Sequence, residues 1–205
     1  MYIPPYYKNN NLEEIKQFIR DNAFAVLISN GKNAPDASHI PLELIEGSDG
    51  HSYLQGHVSR GNLQWKNFSS NDNVLAIFQG PHSYISSGWY NHINVPTWNY
   101  IAVHVTGKIE IVEEGEMYES LKKLVDHYES GSEKPVKVEE MPHDMMEKYM
   151  KGIVGFKIQI EKIEGKWKLS QNRDDEDYKN IIDQLQKLND INAGLVAEEM
   201  KKLKK

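Results

Sequence analysis

The sequence contains no cysteine among its 205 residues. This absence excludes disulfides, thiolate zinc sites, iron–sulfur clusters and cysteine nucleophiles, because each of them needs a thiol. The G-x-S-x-G nucleophile elbow, the H-E-x-x-H zinc motif and the Rossmann and P-loop fingerprints are also missing. A nucleotide-like cofactor, if one binds, must therefore be held by a different fold.

Long apolar runs and an excess of basic charge are absent as well. No apolar stretch approaches the roughly 18 residues of a membrane span, and residues 1–14 show no charged leader before an apolar core. We therefore expect a cytoplasmic protein without membrane contact. The 24 Lys and Arg against 30 Asp and Glu give a formal net charge of −6, so any contact with DNA must be local.

Strand-like segments fill the middle of the chain. About seven runs rich in β-branched and aromatic residues follow one another with little helix between them. Such sequential antiparallel strands favour a closed or nearly closed barrel, because closure removes exposed sheet edges. We predict an α+β fold with a barrel core, as a single domain over 1–205, with its core at about 12–168 and a helical tail at about 174–205.

Local signals predict the helices and turns. Asn11 is the expected N-cap of a first helix, and a short helix is expected over 62–69. Asn30 and Gly31 predict a two-residue hairpin turn, since both positions of that turn need positive φ. Helical periodicity predicts further helices over 114–130, 139–152, 174–188 and 192–205. Turns in the aromatic segment are assigned to Gly80, Pro81, Gly88 and Pro96.

A polar loop closes the strand that is predicted over 51–58. The loop and the short helix after it contain His57, Ser59, Arg60, Asn62, Gln64 and Trp65. A helix N-terminus beside a hydroxyl and a guanidinium is suited to a phosphate group. The alternative is an ordinary cap formed by Asn62, with Arg60 in solvent, and such caps are common.

Residues 78–100 combine aromatic rings with amides and hydroxyls. A pocket for a planar heteroaromatic ligand needs this mixture, although an aromatic-rich barrel core also has it. On the strand from 97 to 105, alternation places Trp98 and Tyr100 on one face and Asn99 on the other, and either face is a candidate for the ligand. The polar and aromatic residues of the segment are Gln79, His82, Tyr84, Ser86, Trp89, Tyr90, His92, Thr97, Trp98, Asn99 and Tyr100.

The segment from 168 to 178 runs from a strand into the acidic start of a helix. Its polar residues are candidates for a phosphate or ring-edge site: Lys168, Ser170, Gln171, Asn172 and Arg173. The alternative is structural, with Asn172 or Asp174 capping the helix. The eight histidines show no tight ligand spacing, so we expect structural histidines and no metal site.

Five segments resemble the PaiB family of FMN-binding negative transcriptional regulators, nearly in their full order and spacing. They are GHVSRGNLQW, FQGPHSYISSGWY, VPTWNYIAVHVTGK, KGIVGFKIQIEKIEGKWKLSQNR and the helix with Asn-Ile-Ile. The resemblance implies an antiparallel split β-barrel like that of pyridoxamine-phosphate oxidases, with peripheral helices and a C-terminal helical tail. It further implies a homodimer with FMN near the subunit interface, and repression of genes for sporulation and degradative enzymes, proteases included.

The resemblance also implies a set of cofactor-binding residues. The loop around Arg60 corresponds to the phosphate-binding turn, Ser38 and His39 would border the flavin, and Trp98 would lie along the ring or the partner subunit. In the typical flavin-enzyme loop the Ser is paired with a Lys, whereas in this sequence Arg60 is followed by Gly61 and Asn62. The complete expected set is Ser38, His39, His57, Ser59, Arg60, Asn62, Gln64, Trp65, Tyr84, Ser86, Trp89, Thr97, Trp98, Asn99, Lys168, Ser170, Gln171 and Asn172.

Two other functions are compatible with these residues. An FMN-dependent reductase or oxidase would need the cofactor but no direct DNA contact, although no residue can be assigned as its catalytic acid or base. A haem-binding split barrel would use one of the scattered histidines as its ligand. Direct DNA binding has little support, since the only concentrated basic segment is the terminal KKLKK.

Overall fold

The computed structural model describes residues 1–68 and 73–203. Ser69, in the predicted short helix, and Lys204 and Lys205, in the predicted tail, lie outside the described residues. The strands are β1 (Lys8–Asn9), β2 (Phe24–Ser29), β3 (Asp36–Pro41), β4 (Glu43–Glu46), β5 (Ser52–Ser59), β6 (Asn73–Ile85), β7 (Thr97–Ile111) and β8 (Ile153–Lys168). The α-helices are α1 (Leu12–Asp21), α2 (Glu114–Glu129), α3 (His143–Gly152), α4 (Asp175–Lys187) and α5 (Ile191–Leu203).

The strands form one curled antiparallel sheet in the order β3-β2-β6-β7-β8-β5-β4, with β1 paired to β8. Strands β3 and β4 stand at opposite ends of this order, yet Leu42 alone separates them in the chain. Leu42 is fully buried, and its N–H donates to the carbonyl of Ala23 at 2.9 Å. This one-residue connection places the end of one edge strand next to the start of the other. The predicted α+β split barrel is confirmed.

The chain divides into two compact units. The first unit comprises Met1–Phe18, Phe78–His104 and Glu164–Lys205, and the second comprises Ile19–Ile77 and Val105–Ile163. The core of the first unit contains Ile85, Ile101, Trp167, Leu169, Ile181 and Leu185. The core of the second unit contains Leu27, Leu54, Val105, Ile109, Phe156 and Ile158.

An α-helix forms in each of the longer predicted segments, and the N-caps of α1 and α4 follow the sequence signals. Asn11 accepts a hydrogen bond from the N–H of Glu14 at 3.3 Å, as expected for an N-cap of α1. Asp174, rather than Asn172, caps α4 by accepting from the N–H of Asp177 at 2.9 Å. Within residues 1–68 and 73–203, none of the helices has the length and apolar character needed to cross a membrane.

Two turn predictions are wrong. Ser29 pairs with Asp36, so residues 30–35 form a six-residue loop, and neither Asn30 nor Gly31 has positive φ. Gly31 is needed for a close approach instead, since a Cβ there would lie 2.1 Å from the carbonyl oxygen of Ala34.

The second wrong prediction is a turn at Gly80 and Pro81, which lie within the continuous strand β6. A Cβ at Gly80 would lie 2.7 Å from the ring of Phe18, so this glycine makes room for an aromatic side chain on the strand.

Candidate functional site

The polar turn, residues 57–65, follows strand β5 and ends in a 3₁₀ helix, Leu63–Asn67, rather than an α-helix. Asn62 caps this short helix by accepting from the N–H of Gln64 at 3.0 Å. Five residues of 3₁₀ helix align few peptide dipoles, so the N-terminus of this helix attracts a phosphate less strongly than that of the helix predicted from the sequence.

The backbone of the polar turn is hydrogen-bonded within the protein. The N–H of Arg60 donates to the carbonyl of Gly152 at 2.8 Å, and the N–H of Asn62 donates to the carbonyl of Ser59 at 2.9 Å. The N–H of Gly61 donates to the Ser59 hydroxyl oxygen at 3.2 Å. A phosphate at this turn would therefore be held by side chains rather than by these amides.

A buried network joins three of the expected site residues. Asn62 Nδ2 donates to the Ser38 hydroxyl at 2.7 Å, and that hydroxyl donates to Gln64 Oε1 at 2.6 Å. Gln64, which is 4% exposed, donates through Nε2 to Ser29 Oγ and to the carbonyls of Leu27 and Asp36. The network fixes the polar turn onto strands β2 and β3.

Arg60 is held by backbone carbonyls. Its Nε donates to the carbonyl of Lys151 at 2.8 Å, and its Nη2 donates to the carbonyl of Ile153 at 3.0 Å. A guanidinium has five N–H donors, so three remain for a ligand. Trp65 donates through Nε1 to the Arg60 carbonyl at 3.0 Å. The side chain is thus pre-oriented, which suits it to charge-assisted binding of an anion.

Two clefts border the polar turn. One, of about 200 Å³, is lined by Arg60, Trp65 and Lys151 together with apolar side chains such as Met117. The other, of about 540 Å³, is lined by Asn62 and Gln64 and also by Lys32, Lys66 and Asp36. Arg60 and Asn62 therefore line different clefts, and each cleft contains two basic side chains and one acidic side chain.

His57 stands at the start of the turn. Burial lowers the pKa of its imidazole below the ordinary value. The ring is consequently neutral at pH 7, so His57 can offer a hydrogen bond to a ligand but not a positive charge.

In the first unit, burial distinguishes the two faces of β7. Asn99, Ile101 and Val103 point into the core, whereas Trp98 is 53% exposed and Tyr100 is partly exposed. Asn99 is fully buried, and its Oδ1 accepts from the Ser170 hydroxyl at 3.1 Å. The Trp98 face is therefore the accessible one.

Strand β6 extends this accessible surface. The ring of Tyr84, which is 46% exposed, lies edge-on to Trp98 with centroids 5.9 Å apart. The His82 ring lies 6.3 Å from Trp98. These three rings, with Tyr100, are called the aromatic face below. A surface of this kind suits stacking of a planar ring.

The segment after β8 is bonded to the start of β7. Lys168 Nζ donates to the hydroxyl of Thr97, and to the carbonyl of Trp98 at 2.8 Å. Ser170 has a left-handed backbone, with φ of 61°, an uncommon conformation for a residue other than glycine. Strain of this kind persists only where surrounding bonds fix it, as the Asn99 bond does here.

The remaining residues of this segment have intramolecular partners. Gln171 Oε1 accepts from the N–H of Leu169 at 2.8 Å, and its Nε2 donates to the carbonyl of Trp167. Asn172 accepts from the hydroxyl of Tyr7 at 3.0 Å. Thus Gln171 and Asn172 bond within the protein, whereas Lys168 brings a positive charge to the aromatic face.

The other expected site residues lie in local turns or at a sheet edge. Ser86 accepts from the N–H of Gly88 at 3.2 Å, and the carbonyl of Trp89 accepts from Asn180. His39 is exposed on β3, on the face opposite to Ser38, because neighbouring strand residues alternate. Ser38 and His39 therefore cannot both border a ligand on one face of β3.

Two further cations accompany Lys168: Lys166, which was not among the sequence candidates, and Arg173, which was a candidate in the 168–178 segment but not part of the expected cofactor-binding set. Lys166 Nζ lies 5.1 Å from the Tyr100 ring centroid, and Arg173 lies 4.7 Å from that of Tyr90. We call Lys166, Lys168 and Arg173 the cationic cluster. Its signal in the sequence was the alternate spacing of Lys166 and Lys168, which places both on one strand face.

The histidines remain separate from any cluster of metal ligands. Over the described ranges 1–68 and 73–203, no group of three or more His, Asp or Glu side chains is arranged to hold a metal ion. Burial lowers the pKa of His104, with the N-terminal charge acting in the same direction.

Each unit by itself contains side chains that fit one part of a flavin mononucleotide. In the second unit, the remaining N–H donors of Arg60 and the hydroxyl of Ser59 suit a phosphate. In the first unit, the exposed rings of Trp98 and Tyr84 suit a planar heterocycle.

Comparison with known proteins identifies the family. A family model described as "Putative FMN-binding domain" matches residues 1–162. The chain belongs to this family. It is also 46% identical over 206 residues to the protease synthase and sporulation protein PAI 2 of Bacillus subtilis (strain 168), covering 100% of this chain and 99% of the relative. The predicted membership of the PaiB family is confirmed.

Solved structures show the same fold. The FAD and heme binding protein from Mycobacterium smegmatis matches with a TM-score of 0.59 and 14% identity, covering 84% of this chain and 79% of that one. The flavocytochrome Anf3 from Azotobacter vinelandii matches with a TM-score of 0.59 and 17% identity, covering 87% and 78% respectively. At these identities the likeness concerns the fold alone.

Proposed function

We propose that this protein is an FMN-binding negative regulator of transcription that represses genes for sporulation and for degradative enzymes, proteases included. The observation that carries the proposal is the 46% identity to the Bacillus subtilis protein over the full length of both chains. An alignment of that extent without a missing segment supports a shared architecture and a shared type of function.

FMN is the proposed cofactor, held by a homodimer near the subunit interface. Arg60 and Ser59 would bind the phosphate, and Trp98 would lie along the ring or against the second subunit. Arg60 is the strongest contributor, because its guanidinium is already oriented by two carbonyls and keeps three N–H donors. Bound FMN would supply hydride and electron transfer, while the protein sets orientation and access.

An absorption spectrum of the freshly purified protein, followed by titration with FMN, tests cofactor binding. We expect flavin bands, or tight binding of added FMN with one FMN per subunit, and a dimer by light scattering. Protein that stays colourless and ignores added FMN would contradict the proposal, and a Soret band would favour haem instead.

Repression is tested in cells. Deleting the gene should raise the activity of promoters for sporulation and extracellular proteases, and the wild-type gene should restore repression. Unchanged promoter activity in the deletion strain would rule out the regulatory role. A mobility shift with promoter DNA that weakens steeply with salt would show that repression is direct.

A second function is favoured by the charge of the chain. With 24 basic and 30 acidic side chains the protein is poorly suited to direct DNA contact, so an FMN-dependent oxidoreductase is the alternative. Sustained NAD(P)H oxidation by the FMN-loaded protein, in the absence of any DNA-binding or promoter effect, would favour this function over repression.

A further inference from the structure

The cationic cluster lacks acidic partners. Among the described residues, no Asp or Glu forms an ion pair with Lys166, Lys168 or Arg173, although the protein as a whole is acidic. Lys166 is only 8% exposed, and its Nζ donates to the carbonyl of Tyr2 at 3.2 Å. Buried or partly buried cations without carboxylates are costly, and they often mark a site for an anionic ligand.

The three cations lie close enough to repel one another, and together they produce a positive potential at this surface. Lys166 and Lys168 lie over the same ring, with Nζ atoms 5.1 and 6.0 Å from the Tyr100 centroid. Burial is the main cause that lowers the pKa of Lys168, and the positive charges of Lys166 and Arg173 lower it further. An anion placed here would relieve this repulsion.

The cluster adjoins a stacking surface. Lys168 Nζ donates to the carbonyl of Trp98 at 2.8 Å and to the hydroxyl of Thr97. An ammonium group has three N–H donors, so one remains for a ligand. The Trp98 ring is half exposed and flanked by the rings of Tyr84 and His82. A flat ring resting on Trp98 would bring a charged substituent within reach of Lys168.

We propose that the cationic cluster binds the anionic group of a planar aromatic phosphate, whose ring stacks on Trp98. Two ligands share this chemistry. One is FMN itself, in which case the inference rests on the proposed cofactor and the cluster, in place of Arg60 and Ser59, holds its phosphate. The other is a separate aromatic phosphate that binds beside the cofactor as substrate or effector.

Calorimetric titration with 1-naphthyl phosphate tests the site, with 1-naphthol as the neutral analogue. The full-length protein should bind the phosphate more tightly than the alcohol, and added salt should weaken that preference. Lys168→Met should weaken binding of the phosphate about tenfold or more, as the loss of a charge-assisted contact predicts. Lys168→Arg should retain most of the affinity.

Lys108→Met is the matched control, because Lys108 is an exposed lysine on the same strand as Trp98 but outside the cluster. It should bind 1-naphthyl phosphate as the wild type does. If Lys168→Met fails to fold, Arg173→Gln gives the same test with an expected loss of about threefold to tenfold.

Titrations with FMN and riboflavin separate the two ligands. If Lys168→Met weakens FMN but not riboflavin, the cluster holds the cofactor's phosphate. If it leaves both unchanged but abolishes binding of 1-naphthyl phosphate to the FMN-loaded protein, a second ligand uses the site. Wild-type protein that ignores FMN but binds 1-naphthyl phosphate through Lys168 would contradict the cofactor proposal and support this one. The inference is overturned if the folded Lys168 or Arg173 variant binds every probe as the wild type does.

Discussion

The polar turn and the aromatic face both contain residues expected to hold a ligand, but they differ in how their polar groups are bonded. In the polar turn, the amide of Gln64 and the backbone amides have partners inside the protein. Beside the aromatic face, Lys168 and its neighbouring cations have hydroxyl, carbonyl or aromatic partners, and no carboxylate of the described residues pairs with them. A saturated network stabilises the fold, whereas unbalanced charge beside exposed rings is available to a ligand. Substitutions in the two regions should therefore change different quantities.

The largest effect is expected from Gln64→Ala. It would leave the buried hydroxyl of Ser29 and the carbonyls of Leu27 and Asp36 without their shared donor. The free energy of unfolding should fall by about 2–4 kcal/mol. Urea denaturation measures this change, with Gln186→Ala on the exposed face of α4 as the control. A loss no greater than that of the control would show that the network contributes little.

Arg60→Ala should lower both the stability of the protein and its affinity for FMN. FMN affinity should fall by about 1.5–3 kcal/mol if Arg60 contacts the phosphate. Riboflavin, which lacks the phosphate, should bind equally to both proteins, and Arg60→Lys should recover part of the FMN affinity. Equal FMN affinity in wild type and Arg60→Ala would leave Arg60 with its structural bonds to Lys151 and Ile153 alone.

Trp98 and Asn99 are neighbours in the chain, but one is accessible to a ligand and the other is bonded within the core. Asn99→Ala removes a buried hydrogen bond with Ser170 and should lower the free energy of unfolding by about 1–3 kcal/mol. Trp98→Ala, at an exposed position, should change it by only about 0.5 kcal/mol. The order should reverse for binding of FMN or 1-naphthyl phosphate. Thermal denaturation measures the loss of stability, and calorimetry measures the loss of ligand affinity. If the same substitution caused the larger loss in both measurements, the assignment of the buried and accessible faces would be contradicted.

The smallest effect concerns His57 and pH. Because burial lowers the pKa of folded His57, the unfolded chain takes up a proton first as pH falls through about 6.5. Stability should therefore be full above that pH and should decrease below it, until the folded imidazole is also protonated. His57→Gln should flatten this part of the pH profile in urea denaturation, whereas the exposed control His51→Gln should not. An equally steep profile in His57→Gln would assign the acid sensitivity to other groups.

Local sequence signals predicted the secondary structure well where neighbouring residues determine it, as in helix caps and helical periodicity. Asn11 caps α1, and the periodicity of the tail produces α4 and α5. The signals failed where distant residues decided. Gly80 looked like a turn residue, but it lies in a strand, where the absence of a side chain leaves room for the Phe18 ring. The Asn30-Gly31 pair likewise lies in a longer loop whose backbone folds back on Gly31.

The sequence by itself determined the family, the strand-rich core and the identities of the candidate ligand-binding residues, because these depend on composition, spacing and motif. Only the tertiary structure decided which face of β7 is accessible, since alternation defines two faces but burial against the core selects between them. It also decided that Gln64 and Asn99 bond within the protein, and that Lys166 and Arg173 stand near Lys168 with no acidic partner among residues 1–68 and 73–203. Charge balance at one point in space depends on residues far apart in the chain, and the linear sequence does not contain those distances.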